Sequence, residues 1–351
     1  MLHHRQALYI TPQAGIAFCR FLSYHALNTR INHHAMTVSR YFLLFVLSLS
    51  VGAAPRDPFK QLDDVWPTPD AMRRASGAPG PGYWQQRADY VIDVELDEAK
   101  HRIIGSEKIT YHNNSKDTLE YIWLQLDQNI YAPTSDSALS RTTSGISGMS
   151  YKGLEALMER RKFDGGHKVT AVKDTAGKLL EHVVVLTNMR IVPPKPLKPG
   201  ESFTFSVDWN FNISNAKLMS MRMGYEFFEQ DKNHLYAIAQ WFPRMCAYTD
   251  VTGWQNKQYL GTGEFALEFG DYLVRITAPS DHVVASTGVL QNAEKILSKV
   301  QRERLAKAAK AKKPVFIVTP DEAKEKEKKK EKEKKTWVYK ADNVRDFAFA
   351  S

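Results

Sequence analysis

Six histidines follow residue 56: His101, His112, His167, His182, His234 and His282. Imidazole is a common zinc ligand, and one widespread hydrolase arrangement places two of them four residues apart on a helix, with a glutamate after the first. None of the six precedes Glu and no two stand four apart, so that helical pair cannot be built. Each reads as a strand-face or loop histidine. A serine nucleophile is no better supported, because Ser144-Gly-Ile-Ser147-Gly148 lacks the Gly-x-Ser-x-Gly spacing of a nucleophile elbow. Gly261-Thr-Gly263-Glu-Phe-Ala266 superficially matches a dinucleotide fingerprint. A strand signal follows it, where pyrophosphate binding needs a helix N-terminus. Glu226, Glu229 and Asp231 read as a solvated loop beside Tyr225, Phe227 and Phe228. No catalytic residue, no metal ligand and no resident cofactor is expected in this chain. Asn113-Asn-Ser115 and Asn212-Ile-Ser214 fit the glycosylation pattern.

The elements around these residues are mostly strands. Tyr90, Ile92, Val94 and Leu96 alternate with Asp89, Val91, Asp93 and Glu95, the period of two of a half-buried strand. Ile103–Tyr111 follows, with Gly105 as a bulge position, and Leu119–Leu126 is apolar on both faces and therefore central. Residues 132–166 read as a long loop with a helix near Leu154–Arg160. Strands resume at Val169–Val172, Val183–Leu186 and Arg190–Val192, and Phe203–Trp209 alternates most clearly. Further strands are expected at Tyr236–Ala239, Phe265–Phe269, Tyr272–Thr277, Val283–Ala285, Pro314–Pro320 and Trp337–Tyr339. Many short strands joined by turns predict a mainly β chain, an antiparallel sandwich. Residues 291–335 interrupt it as a helical, Lys/Glu-rich insertion; Glu322–Lys335 is a solvated helix or a disordered stretch. The alternating run Asn343–Ala350 would leave an unpaired edge, so the chain reads as cut.

The net charge of +9 sits in two places. Arg5, Arg20, Arg30, Arg40 and Arg56 precede the first acidic residue, Asp57, and Lys324–Lys335 carries eight Lys against four Glu. The rest is neutral overall, so no nucleic-acid partner is expected. Residues 1–35 read as a mis-assigned upstream start. Residues 36–53 have a basic n-region, an apolar Tyr41–Val51 core and small residues up to Ala53, the pattern of a secretory signal. That core is shorter than the ~20 residues a bilayer span needs. The mature chain is expected to be exported, periplasmic or extracellular, without an integral membrane span. Residues 54–82 hold six prolines and read as an extended lead-in to a domain at 83–351. Cys246 reads as a buried, inert thiol, and Cys19 lies outside the mature chain.

Four stretches together resemble the aminopeptidase N family of zinc metallopeptidases, in a bacterial exported branch. They are Gln240-Trp-Phe-Pro-Arg244, Tyr259-Leu-Gly-Thr-Gly-Glu-Phe265, Leu273–Gly288 with Ala278-Pro279 and Ser286-Thr-Gly288, and Asn343-Val-Arg-Asp-Phe-Ala348. The resemblance implies a saddle-shaped N-terminal β-sandwich that forms one wall of a peptide cleft, with zinc held by a later domain whose His-Glu-x-x-His motif is absent here. The chain would then be truncated before its catalytic domain and inactive alone, with peptide substrate engaged through the missing part. Gln240 matches a family position near the substrate's free amine, with Phe242 standing where an acidic partner is usual; satisfying a buried backbone group is the other role open to it. A free-standing exported binding module for protein or carbohydrate is the alternative from a different class.

Overall fold

The computed structural model describes residues 69–140, 148–219, 223–261, 266–329 and 333–351. The upstream start, the signal segment, Cys19, Ser144–Ser147 and residues 262–265 lie outside the described residues. The first half runs β1 (Arg87–Asp97), β2 (Arg102–His112), β3 (Ile122–Gln125), α1 (Asp136–Ser140), α2 (Tyr151–Lys162), β4 (Lys168–Asp174), β5 (His182–Val185), β6 (Asn188–Ile191) and β7 (Ser202–Asn212). Next come α3 (Ala216–Met219), β8 (Gly224–Phe228), β9 (Asn233–Ile238), β10 (Arg244–Met245), β11 (Tyr248–Thr249), β12 (Gly253–Trp254) and β13 (Gly270–Pro279). The last elements are β14 (Ala285–Ser286), β15 (Val289–Leu290), α4 (Ala293–Ile296), α5 (Lys299–Ala308), α6 (Pro320–Glu327), β16 (Lys334–Val344) and β17 (Phe349–Ala350).

The chain is mainly β, as its alternation predicts. One seven-stranded sheet is ordered β15-β16-β13-β1-β2-β7-β4, and two four-stranded sheets are ordered β10-β3-β6-β5 and β14-β17-β9-β8. Tyr90, Ile92, Val94 and Leu96 all point inward from β1, as do Phe205, Val207, Trp209 and Phe211 from β7. They join one core with Ile122 and Leu124 of β3, Met189 and Ile191 of β6, and Tyr236 and Ile238 of β9. Pairing is antiparallel throughout the large sheet except where β13 lies parallel to β1. A parallel neighbour needs a long crossover, and the intervening residues supply it.

Several local expectations change. Gly105 is no bulge: β2 keeps register with both neighbours, and a Cβ there would lie 2.3 Å from the Trp209 ring. The glycine is needed for close approach, not for a kink. No strand covers 266–269 or 314–319; only isolated bridges at Leu267 and Phe269 touch the first of these. The helix expected at Leu154–Arg160 spans Tyr151–Lys162, capped by Ser150. Glu226 lies on strand β8, and Glu229 and Asp231 stand in its exposed turn to β9. Residues 69–82 are an irregular turn closed by an Arg73–Pro79 bridge, not an extended run. Within the insertion, α5 and α6 each begin with a capping box, Ser298 with Gln301 and Thr319 with Glu322. The C-terminal run is not an open edge. β17 pairs β14 on one side and β9 on the other, with Phe347 and Phe349 buried.

Candidate functional site

The segment after β9 builds a buried polar site. The chain turns at Gln240, whose φ of +53° is left-handed, a conformation costing a residue with a Cβ about 1–2 kcal/mol. Its carbonyl accepts from Gln128 Nε2 at 2.8 Å. That turn sends Trp241 and Phe242 inward to full burial. Trp241 Nε1 donates to the Phe347 carbonyl at 2.8 Å and its ring meets Phe349 edge-on. Gln240 itself is 8% exposed; among the described residues its side chain makes no hydrogen bond, so the backbone-satisfying role expected as one option is not seen.

Four residues beyond Gln240, Arg244 is 1% exposed. Its Nε lies 3.0 Å from Asp127 Oδ2, with Nη2 bonding the same oxygen, and Nη1 lies 2.7 Å from Asp346. Burial opposes the guanidinium's charge, but the two carboxylates outweigh it and raise its pKa further. Asp127 is held above the usual carboxylate range by its own burial, with Arg244 pulling the other way. Beside this pair, the His167 ring donates from Nε2 to the Trp241 carbonyl at 3.2 Å, the tautomer that an acceptor-only partner requires. Burial drops His167 to about 3, so it is neutral there, and among the described residues its Nδ1 has no partner. The neighbouring Cys246 is fully buried and its thiol is pushed up by burial, matching the inert reading.

A second cluster forms where the β1–β2 turn meets β9, the residues after β13 and Ser351. Glu98 places one oxygen 3.6 Å from His234 Nδ1 and the other 3.6 Å from His282 Nε2. His101 stacks on Tyr225 with ring centroids 3.9 Å apart and bonds Tyr236 Oη at 2.8 Å. His282, then His234 and His101, hold the Glu98 carboxyl below its usual range. His234 lies on β9 and His101 and His282 in connecting turns, as strand-face and loop positions; the topology gathers the three, and no local spacing announces it. His101 and His282 direct their Nδ1 atoms to Tyr236 and Ser351. Among the described residues no group of three or more His, Cys, Asp or Glu side chains could hold a metal ion. The zinc implied by the resemblance does not fit the described residues. Asn113 is wholly buried, its side chain donating to the Asp117 and Leu197 carbonyls, so it cannot accept a glycan.

No family model matches the sequence, and no curated protein matches it. Solved structures do align. One is the M1 zinc metallopeptidase from Deinococcus radiodurans, at 13% identity and a TM-score of 0.36 over 78% of this chain and 44% of that one. A mutant of it bound to a Tyr-Ser-Ala substrate aligns at 11% identity and 0.37, over 76% and 42%. A two-domain M1 zinc metallopeptidase mutant bound to L-tryptophan aligns at 12% and 0.38, over 78% and 44%. The chain spans less than half the length of each of these structures.

Proposed function

We propose that this chain is the non-catalytic N-terminal β-sandwich region of an exported zinc aminopeptidase-like enzyme, acting on peptide N-termini. The observation that carries the reading is a junction. Gln240-Trp-Phe-Pro-Arg244 and Asn343-Val-Arg-Asp-Phe-Ala348, two of the stretches behind the resemblance, meet in space through Arg244–Asp346 and Trp241–Phe347. They act as one structural unit that fixes the turn at Gln240. In the full enzyme Gln240, whose amide is uncommitted among the described residues, reaches toward the free amine of the peptide, and zinc is held by residues outside this chain. The purified chain with added zinc should not hydrolyse aminoacyl anilides; measurable turnover would sink the reading. Expressed in a bacterial host, it should be exported and begin at Ala54, and retention of residues 36–53 in the mature protein would refute the address.

The binding-module reading has one observation in its favour, the burial of Phe347 and Phe349 inside a sheet. It also needs an exposed aromatic patch at Trp254 and Tyr259. Trp254 is instead half-buried against Tyr111 and Tyr248.

A further inference from the structure

Beyond Cys246 the same segment forms one wall of a cleft of about 200 Å3, lined among others by Arg73, Tyr83, Trp84, Tyr248, Glu268 and Arg345. Drug-sized pockets run to ~300–1,000 Å3, so this one has room for a single side chain. Trp84 stacks on Tyr248, with centroids 5.9 Å apart and planes 21° apart, and Trp254 meets Tyr248 edge-on at 5.1 Å. One oxygen of Glu268 accepts the Tyr248 backbone N–H at 2.8 Å. Among the described residues the other oxygen has no hydrogen-bond partner and the carboxylate has no ion pair. Arg73 is occupied by Asp250 through bonds of 2.8 and 2.7 Å, and Arg345 stands exposed. Burial lifts the Glu268 carboxyl to about 7.

A half-buried carboxylate with no ion pair among the described residues is stabilised by a cation, and aromatic faces attract cations. We propose that this cleft binds a basic side chain, a lysine ammonium or arginine guanidinium presented by a polypeptide, with Glu268 as counter-ion and the Trp84–Tyr248 stack as platform. The site is separate from the Gln240 turn and does not depend on the chain belonging to a peptidase, so either reading can fail alone. The groups facing Glu268 are Tyr111 from β2, Tyr248 and Asp250 from β11 and its turn, Arg73 and Tyr83 ahead of β1, and Arg345 after β16. Burial raises the Tyr111 hydroxyl and takes Tyr248 to about 12, which leaves Glu268 to titrate between them near neutrality. Because a cation favours the ionised carboxylate, binding should tighten about tenfold from pH 6 to pH 8.

The test is calorimetric titration of the full chain with N-acetyl-lysine amide, N-acetyl-arginine amide, glycinamide and N-acetyl-glutamate amide. The two basic side-chain probes should bind saturably, tighter at pH 8, and lose at least tenfold affinity in Glu268→Gln and in Trp84→Ala. Equal binding of glycinamide would make it an α-amine site, and preference for the glutamate amide would make it an anion site; either overturns the proposal. So would native affinity in both variants, or no saturable binding of the basic probes.

Discussion

His167 and Glu107 pull stability in opposite directions as pH changes. His167 sits edge-on to Trp209 and Phe211, with ring centroids 5.4 Å away in each case, and burial holds it neutral down to about 3 against 6.5 in the unfolded chain. The unfolded state therefore binds the extra proton between those values. Stability falls as pH drops below 6.5, at about 1.4 kcal/mol per unit and about 5 kcal/mol in all. His167→Gln keeps a donor for the Trp241 carbonyl, and acid titration followed by tryptophan fluorescence should show its unfolding midpoint at lower pH. Glu107 is the reverse. It points into the core from β2 at 1% exposure, among the described residues neither oxygen has a partner, and burial raises its pKa well above 4.5. Here the folded state holds the proton, so stability is lost as pH rises above 4.5 toward the folded value. Glu107→Gln should raise Tm, and by more at pH 8 than at pH 5; an equal gain at both would show that the carboxyl ionises freely in place.

At the scale of elements, the ion pair between Arg244 of β10 and Asp127 after β3 is the joint to test. Removing one partner from such a pair strands a buried charge and costs about 3–5 kcal/mol, whereas replacing both with apolar residues can be neutral. Arg244→Met should thus be strongly destabilised in urea unfolding, and Arg244→Met with Asp127→Leu should recover most of the loss. If the double variant is no better than the single, the guanidinium serves Asp346 more than Asp127. The alternation in β1 and β7 made the large sheet readable from the amino acids alone, since period-two burial is a local property. The junction was not readable, because Asp127, Arg244 and Asp346 are joined only by the topology. The same holds for Glu98 with His101, His234 and His282. Gly105 was visible as an oddity but misread, because the Trp209 ring that excludes a Cβ comes from another strand. Gln240 was picked out by its motif, whereas its left-handed backbone left no mark in residue type.

For the whole molecule, the C-terminal end of the described chain closes on the core. Residues 346–351 supply Asp346 to Arg244, the Phe347 carbonyl to Trp241, and strand β17 between β14 and β9. Truncation after Val344 removes all of these and opens two strand edges. The shortened chain should be recovered as aggregate or lack a cooperative melt by circular dichroism; a soluble product melting within a few degrees of the parent would contradict this packing. The net charge of +9 is carried by residues 1–56 and 324–335, and of these Lys334 and Lys335 lie on β16. What decides the account is metal content, because the functional reading rests on ligands this chain does not bring together. Atomic absorption on the purified, dialysed 351-residue chain should find well under one zinc per molecule, whereas one tightly held equivalent, retained against a weak chelator, would contradict it.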